Sequence, residues 1–301
     1  MALLSETTIA ILLGIGFGTG ARIYLVRTDY RSYPTYLHGR IIHILAGFIA
    51  SALGAVLLPA IVNQDYTAVT FFTVAASQFR DVRNMERNTL LNLDENEIVP
   101  RGKTYIEGIA LVFEGRNYLV ILTAMLTTFS AYYISYWAGL IGGCLGIFLC
   151  SRLMSGMKIR DIADIKIVQP HFEDAGLYVG DVYIMNIGLP ERQKEILTYG
   201  MGFMLIPHNL NGKVNLANFG QRQAILHDLY MGLGIYRDSG TPALTPLAKR
   251  NMDTGALAVF MLPRDHDEEW ARFVIGNVPV LESAYRYMSS KKKNRLENQG
   301  E

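Results

Sequence analysis

The stretch Ile41–Val62 reads IIHILAGFIASALGAVLLPAIV and contains no Asp, Glu, Lys or Arg. A helix needs about 20 predominantly apolar residues to cross the hydrocarbon core of a bilayer. A helix on the surface of a soluble protein would instead carry polar residues along one face. The stretch therefore predicts a transmembrane helix.

Four further apolar runs lie in the first half of the 301-residue chain. Half of all residues are hydrophobic, and the mean hydropathy of +0.18 is high for a single soluble domain. The third run is short, because it ends at Arg80 and includes Ser77 and Gln78. Together they predict an α-helical polytopic membrane domain over residues 1–151, with about five spans at 7–26, 41–62, 66–79, 117–133 and 134–150.

The distribution of Lys and Arg predicts the orientation of these spans. Basic residues are retained on the cytoplasmic side of a membrane. They occur between the first and second spans, in the loop 80–116 and after the fifth span, whereas the residues before the first span and the loop 63–65 have none. The sequence therefore predicts a multi-pass protein of the bacterial cell membrane, with its N-terminus outside and its C-terminal domain in the cytoplasm.

The second half has the composition of an ordinary globular domain. Residues 152–290 are long enough to bury a core and predict a soluble mixed α/β domain, followed by a charged tail over 291–301. A net charge of +1 gives no reason to expect a nucleic-acid partner. Apolar periodicity predicts strands at 162–168, 177–187, 203–206 and 256–262, and helices at 190–200, 217–233, 267–275 and 280–288.

Cysteines and charged residues limit the function classes. Cys144 and Cys150 lie in one apolar run and are interpreted as packing residues, so no disulfide, metal site or cofactor is predicted. The spans hold no Asp, Glu or Lys at their centres, which argues against an ion or proton pathway. His43 lies near the end of a span, and we expect Arg22 to extend its guanidinium to the interface.

Small residues recur at helical spacing in two spans. Gly14, Gly16, Gly18 and Gly20 alternate in the first span, and Gly142 and Gly146 are four residues apart in the fifth. The alternating run could be mistaken for a nucleotide-binding loop, but it lies inside an apolar helix with no preceding strand. We therefore expect these glycines to allow close helix packing.

The loop 80–116 contains the hexapeptide Tyr105-Ile106-Glu107-Gly108-Ile109-Ala110, which spells YIEGIA. The apolar residues 106–113 are too few to span and predict a surface-lying or re-entrant segment. The sequence resembles the YIEGIA family, membrane proteins of endospore-forming bacteria named for this hexapeptide. The resemblance implies an inner-membrane location and a possible link to sporulation, but names no reaction. Glu107 is either a functional carboxylate beside the membrane or a solvated helix residue near Lys103.

Two tetrapeptides of the soluble domain suggest a chemistry. Asp238-Ser239-Gly240-Thr241 and Asp253-Thr254-Gly255-Ala256 both resemble the Asp-Thr/Ser-Gly signature of aspartic proteases. Two neighbouring carboxylates share one proton, so that one activates water while the other protonates the substrate. The resemblance implies a dyad of Asp238 and Asp253, with Ser239 and Thr254 orienting it and Gly240 and Gly255 permitting the close approach of the turns.

The tetrapeptides have two interpretations. Asp-Ser-Gly and Asp-Thr-Gly are also ordinary turn sequences. The two motifs are only fifteen positions apart and lie among predicted helices, whereas aspartic proteases are nearly all β and place their motifs in separate lobes or subunits. Any catalytic likeness would then be convergent. Two hypotheses stay open: a membrane-anchored aspartic-type endopeptidase acting on a cytosolic or membrane-proximal protein, and a non-catalytic regulator or assembly protein of sporulation.

Three further motifs give weaker signals. Gly180-Asp181 has a slight likeness to the Gly-x-Gly-Asp motif of membrane aspartic proteases, but it lies outside the spans and is discounted. His227 and Asp228 are adjacent in a predicted helix, and adjacent positions do not share a face. Arg264-Asp265-His266-Asp267 is interpreted as a solvated loop rather than a metal site. Oligomeric state is left open.

Overall fold

The computed structural model describes residues 5–29, 37–153, 156–236 and 244–281. The chain forms two compact units. The first comprises Met1–Thr89 and Ile109–Ser155, and the second comprises Leu90–Gly108 and Gly156–Glu301. The second unit therefore includes the end of one helix from the first half of the chain, the start of the next helix and the connection between them.

Five helices supply the first unit. Four contain stretches long and apolar enough to cross a membrane, at Glu6–Val26, Arg40–Val62, Lys103–Tyr133 and Tyr136–Leu153. A membrane-spanning first half is therefore supported within the described residues. The helices are α1 (Glu6–Asp29), α2 (Leu37–Val62), α3 (Tyr66–Asp94), α4 (Lys103–Tyr133) and α5 (Tyr136–Leu153).

Helix α3 differs from the short third span predicted from the sequence. It begins at Tyr66 as expected but continues past Arg80 to Asp94, and it is not among the four apolar candidates. Its second half carries charged residues, including Arg83, which forms an ion pair of 2.8 Å with Glu114 of α4. The predicted span 66–79 is thus the first half of a longer and more polar helix.

Helix α4 corrects the interpretation of residues 106–113. This stretch is not a separate segment, because it belongs to a continuous helix of 31 residues that also contains the predicted span 117–133. The polar residues Glu107, Glu114 and Arg116 interrupt its apolar pattern, so the sequence divided one helix into two segments.

Only alternate glycines of α1 face neighbouring helices. A Cβ at Gly18 would lie 2.5 Å from Ser51 Cβ of α2 and 3.0 Å from Ala124 Cβ of α4, and Gly14 is equally enclosed. At Gly16 and Gly20 a Cβ would meet nothing within 4 Å. The expected packing role is confirmed for Gly14 and Gly18 and is wrong for the other two.

Arg22 corrects a second expectation. Its side chain is fully buried rather than extended to the interface. Its Nε donates to the carbonyl oxygen of His43 at 3.2 Å, its Nη2 lies 3.2 Å from His43 Nδ1, and the guanidinium sits 5.4 Å from the ring centroid of Phe113. Gly47 of α2 leaves room for the aliphatic part of Arg22. Helices α1, α2 and α4 thus enclose a cation.

The glycine contacts generate a stability prediction. Gly18→Val should lower the melting temperature of the detergent-solubilised protein, because the added atoms collide with α2 and α4 at a cost of about 1–3 kcal/mol. Gly16→Val is the matched control on the same helix. Its free energy of unfolding should differ from that of the native protein by less than about 0.5 kcal/mol, so its melting temperature should change little. Equal effects of the two substitutions would contradict the packing described here.

The second unit contains two antiparallel sheets. The four-stranded sheet has the order β1-β5-β7-β6, and the three-stranded sheet has the order β2-β3-β4. The strands are β1 (Ala163–Ile167), β2 (Pro170–Glu173), β3 (Gly176–Val179), β4 (Val182–Asn186), β5 (Met201–Pro207), β6 (Leu247–Arg250) and β7 (Leu257–Met261). The helices are α6 (Ile159–Ile162), α7 (Pro190–Tyr199), α8 (Leu210–Ala217), α9 (Phe219–Leu233) and α10 (Glu268–Asn277).

Strand β7 is the centre of this unit, because all five of its residues are buried. Ala258 and Phe260 join a core cluster with Leu177, Val179, Val182 and Ile184 from the smaller sheet. The two sheets therefore pack face to face over this cluster. The mixed α/β fold class is confirmed.

Two predicted elements differ in detail. The single strand expected over 177–187 is a hairpin, because Gly180 has a φ of +61° and turns the chain between β3 and β4. The helix expected at 280–288 lies mostly outside the described residues, since the description ends at residue 281.

Candidate functional site

The Asp253 tetrapeptide forms the turn between β6 and β7. Asn251 begins the turn, and its side-chain Oδ1 accepts hydrogen bonds from the backbone N–H groups of Asp253 at 2.9 Å and Thr254 at 3.1 Å. The Thr254 hydroxyl accepts the N–H of Ala256 at 3.2 Å. Such hydrogen bonds between side chains and backbone N–H groups stabilise a turn, where the regular hydrogen bonds of a sheet do not continue.

Gly255 is required by the backbone of this turn. Its φ of +76° lies in the left-handed region, which costs other residues conformational energy. A Cβ at this position would also lie 2.8 Å from Cγ of Lys213 on α8. The glycine of the tetrapeptide therefore has a clear structural reason.

The carboxylate of Asp253 is exposed at the tip of the hairpin. Within the described residues no hydrogen bond to this carboxylate occurs, although its backbone N–H is bonded to Asn251. Its predicted partner Asp238, with Ser239, Gly240 and Thr241, lies outside the described residues. The Asp238–Asp253 dyad stays a prediction.

A second carboxylate meets this turn from a distant part of the sequence. Asn251 Nδ2 donates to Oδ2 of Asp181 at 2.6 Å. Asp181 follows Gly180 in the β3–β4 turn, so the two hairpin ends are joined by one amide side chain. The structure thus brings the discounted Gly180-Asp181 motif to the Asp253 turn.

Strands β4 and β6 make a second side-chain contact close to this hydrogen bond. Lys249, two residues before Asn251, places its Nζ 4.6 Å from the ring centroid of Tyr183, two residues after Asp181. Tyr183 in turn contacts Tyr178 across β3 and β4 in a T-shaped arrangement. The hydrogen bond and the cation–π contact hold β4 beside β6 and so set the separation of the two turns.

The first four residues of the hexapeptide lie in a different part of the second unit. The residues preceding it are held by Asp94, whose carboxylate accepts the N–H groups of Arg101 at 2.6 Å and Gly102 at 3.0 Å. Tyr105, the first residue of the hexapeptide, donates its hydroxyl to Asp228 of α9 at 3.2 Å. Tyr105 and Ile106 are buried, and Glu107 is half-buried.

Helix α9 offers further partners to the segment that contains these residues. His227 Nδ1 lies 2.7 Å from the carbonyl oxygen of Val99, and Arg101 Nε donates to His227 Nε2 at 3.0 Å. Gln223 donates to the carbonyl oxygen of Pro100. A Cβ at Gly220 would lie 2.6 Å from Thr104 Cβ, so this glycine permits the close approach. We call residues 94–105 the docked segment.

The environment of His227 favours its neutral form. Burial lowers the pKa of His227, and the charge of Arg101 lowers it further. The hydrogen bond with Val99 and the carboxylates of Glu97 and Asp94 act in the opposite direction, but the net shift of the pKa is downward.

Comparison with known proteins identifies the family. A family model described as "YIEGIA protein" matches residues 10–291. The chain belongs to the YIEGIA family. It is 51% identical over 292 residues to "Uncharacterized protein YphB" of Bacillus subtilis (strain 168), which covers 97% of this chain and 98% of the relative. No solved structure matches the chain.

The sequence of this YIEGIA protein indicated the motifs of both sites more clearly than the residues that the motifs contact. The hexapeptide and the Asp253 tetrapeptide stand out as motifs. Asp181 and His227 gave only weak signals, because they lie 70 and 126 positions from Asn251 and Arg101, the residues that they contact. The asparagine two residues before Asp253 was the one available signal, since Asn commonly bonds the backbone of its own turn.

Asn251→Ala should destabilise the soluble unit by about 1–3 kcal/mol, because two turn N–H groups and Asp181 lose their partner together. Thermal unfolding followed by circular dichroism measures the change. Met252→Ala in the same turn is the control, since Met252 is 76% exposed, and it should shift stability by less than about 0.5 kcal/mol. An Asn251→Ala protein as stable as the native one would refute the bridging role of this amide.

Proposed function

We propose that this protein is a membrane-anchored aspartic-type endopeptidase. The observation that carries the proposal is the Asp253-Thr254-Gly255-Ala256 turn, which is rigid, exposed and linked through Asn251 to the second carboxylate Asp181. An exposed turn lets an extended polypeptide reach the carboxylates. Hydrolysis by two carboxylates needs no cofactor.

The chemistry follows the two-carboxylate mechanism. The ionised carboxylate takes a proton from water while the water oxygen forms a bond to the peptide carbonyl carbon. The protonated carboxyl group hydrogen-bonds the carbonyl oxygen and stabilises the charge that develops there. The C–N bond then breaks as the nitrogen receives a proton, which leaves a free carboxyl group and a free amine.

Two residues compete for the role of partner to Asp253. Asp238 has the matching tetrapeptide, and Asp181 has the contact through Asn251. In both cases Thr254 would act by fixing the backbone of the turn, as its bond to Ala256 N–H indicates. The substrate class is a cytosolic protein or a membrane-proximal tail, in a pathway that the family resemblance links to sporulation.

The proposed topology has five crossings, with the N-terminus outside and the soluble unit in the cytoplasm. The first half of α3 would be the third crossing, short for a bilayer at about 1.5 Å of rise per residue. Its support is the absence of Lys and Arg from residues 63–65 and their abundance after residue 79. With the N-terminus outside, crossings by the four apolar candidates alone would instead put the basic second half of α3 and the soluble unit outside.

Asp253→Asn should abolish cleavage, because an amide cannot accept the proton of the attacking water. We expect a loss of about 10²–10⁴-fold or more. The loss of cleavage is measured by comparing newly formed protein N-termini in cells that produce the native protein with those in cells that produce the variant. Asp238→Asn and Asp181→Asn, tested in the same way, identify the partner carboxylate. Asp265→Asn, at another exposed loop, should cleave normally. Cleavage that persists in Asp253→Asn would exclude the endopeptidase.

A second function has its own support. The bonds within the Asp253 turn suffice for a structural turn, and α9 binds an irregular polypeptide, the docked segment, through Gln223, His227 and Asp228. A domain of this kind suits a non-catalytic regulator or assembly protein. It would keep its cellular role in an Asp253→Asn, Asp238→Asn double variant, whereas a protease would lose it.

Single-cysteine labelling tests the topology. In a background lacking Cys144 and Cys150, a membrane-impermeant maleimide should label Asn63→Cys on intact cells. Glu95→Cys and Glu191→Cys should react only after permeabilisation, because both would face the cytoplasm. All three positions are exposed on the protein surface. Labelling of Glu95→Cys and Glu191→Cys on intact cells would contradict the five-crossing arrangement.

A further inference from the structure

The hydrogen bonds of His227 are compatible with one protonation state only. The carbonyl oxygen of Val99, 2.7 Å from Nδ1, can only accept a hydrogen bond, so Nδ1 carries a hydrogen. Arg101 Nε, 3.0 Å from Nε2, can only donate, because a guanidinium stays protonated. Nε2 must therefore present its lone pair. The ring is neutral, with its single hydrogen on Nδ1.

A second proton on His227 would break this arrangement. It would add to Nε2 and face the N–H of Arg101, so that two donors would oppose each other across 3.0 Å. The ring would also become a cation beside a guanidinium. One protonation thus replaces a hydrogen bond by a repulsion at a residue that contacts the docked segment through both of its ring nitrogens.

The other groups around the ring do not compensate for this. Glu97 and Asp94 of the docked segment favour the cation, and Arg101 opposes it. The aromatic rings of Tyr105 on α4 and Tyr230 on α9 lie with their centroids 6.5 Å from the imidazole. Asp228, the next residue of α9, accepts a hydrogen bond from Tyr105. The lowered pKa of His227 agrees with burial and Arg101 outweighing the carboxylates.

We propose that His227 is a proton-sensitive latch, which holds residues 94–105 against α9 at neutral pH and releases them on acidification. The docked segment is the connection between α3 and α4, so release removes a restraint from the junction of these two helices. The proposal does not depend on the endopeptidase activity, because none of the residues of the latch belongs to the turns of Asp181 and Asp253.

The direction of the pH effect follows from linkage. In the docked state the pKa of His227 is lowered, and we expect it to return toward its ordinary value of about 6.5 once the segment leaves and water reaches the ring. Release therefore takes up a proton. The stabilisation of the docked state is complete above a pH of about 6.5 and is lost as the pH falls from there toward the lowered pKa of the docked state. Over this range the opening equilibrium constant rises by at most about tenfold per pH unit, because one proton is taken up.

Hydrogen exchange of the full-length protein in lipid nanodiscs tests the latch. The amides of Arg101 and Gly102 are bonded to Asp94 within the docked segment, and we expect these bonds to open more often once the contacts with α9 are lost. Between pH 7.5 and about 5.5, after correction for intrinsic exchange rates, their opening should increase by about threefold to tenfold. His227→Gln should remove this increase because the amide does not titrate. The exposed His266→Gln should keep it.

Arg101→Gln provides an independent variant, because a glutamine can turn its carbonyl oxygen toward a protonated Nε2. It should also flatten the pH profile while leaving His227 in place. The latch is refuted if opening in the native protein does not rise with acidification. It is equally refuted if the rise is unchanged in His227→Gln or, where that variant does not fold, in Arg101→Gln.

Discussion

The amide side chain of Asn251 joins the two hairpins of the candidate site. Its oxygen organises the Asp253 turn, and its nitrogen binds Asp181 on the neighbouring hairpin. The two sheets beneath these turns share the core around Phe260, so the turns project from a rigid base rather than from free loops. A carboxylate held on such a base keeps its position without the help of a bound ligand. The endopeptidase proposal depends on this constraint.

The family hexapeptide has a different role in the architecture. Tyr105 and Ile106 are buried, and Tyr105 anchors the docked segment to α9 through Asp228. The motif that identifies the family therefore supplies packing and anchoring residues at the start of α4, and its Glu107 is half-buried. A motif can be specific to a family because its residues are needed for packing, without any of them taking part in a reaction.

The sequence predicted those features that depend on local patterns. Apolar length located the helices, and a short continuous run of apolar residues located the buried strand β7. It failed where long-range contacts decide the outcome. Arg22 is enclosed because Gly47 and Phe113 come from other helices, and no local pattern shows this. Residues 106–113 were separated from the span 117–133 because Glu114 and Arg116 interrupt the apolar pattern, and Glu114 has its partner Arg83 on α3. Asp181 was discounted because its neighbour Asn251 is 70 positions away.

The central claim is that Asp253 directs the attack of water on a peptide bond. Incubation of the purified full-length protein with a proteome-derived peptide library in oxygen-18 water tests this most directly. New C-termini carrying the heavy oxygen should form with the native protein and should be missing with Asp253→Asn. New C-termini formed equally by both proteins, or by neither, would contradict the claim.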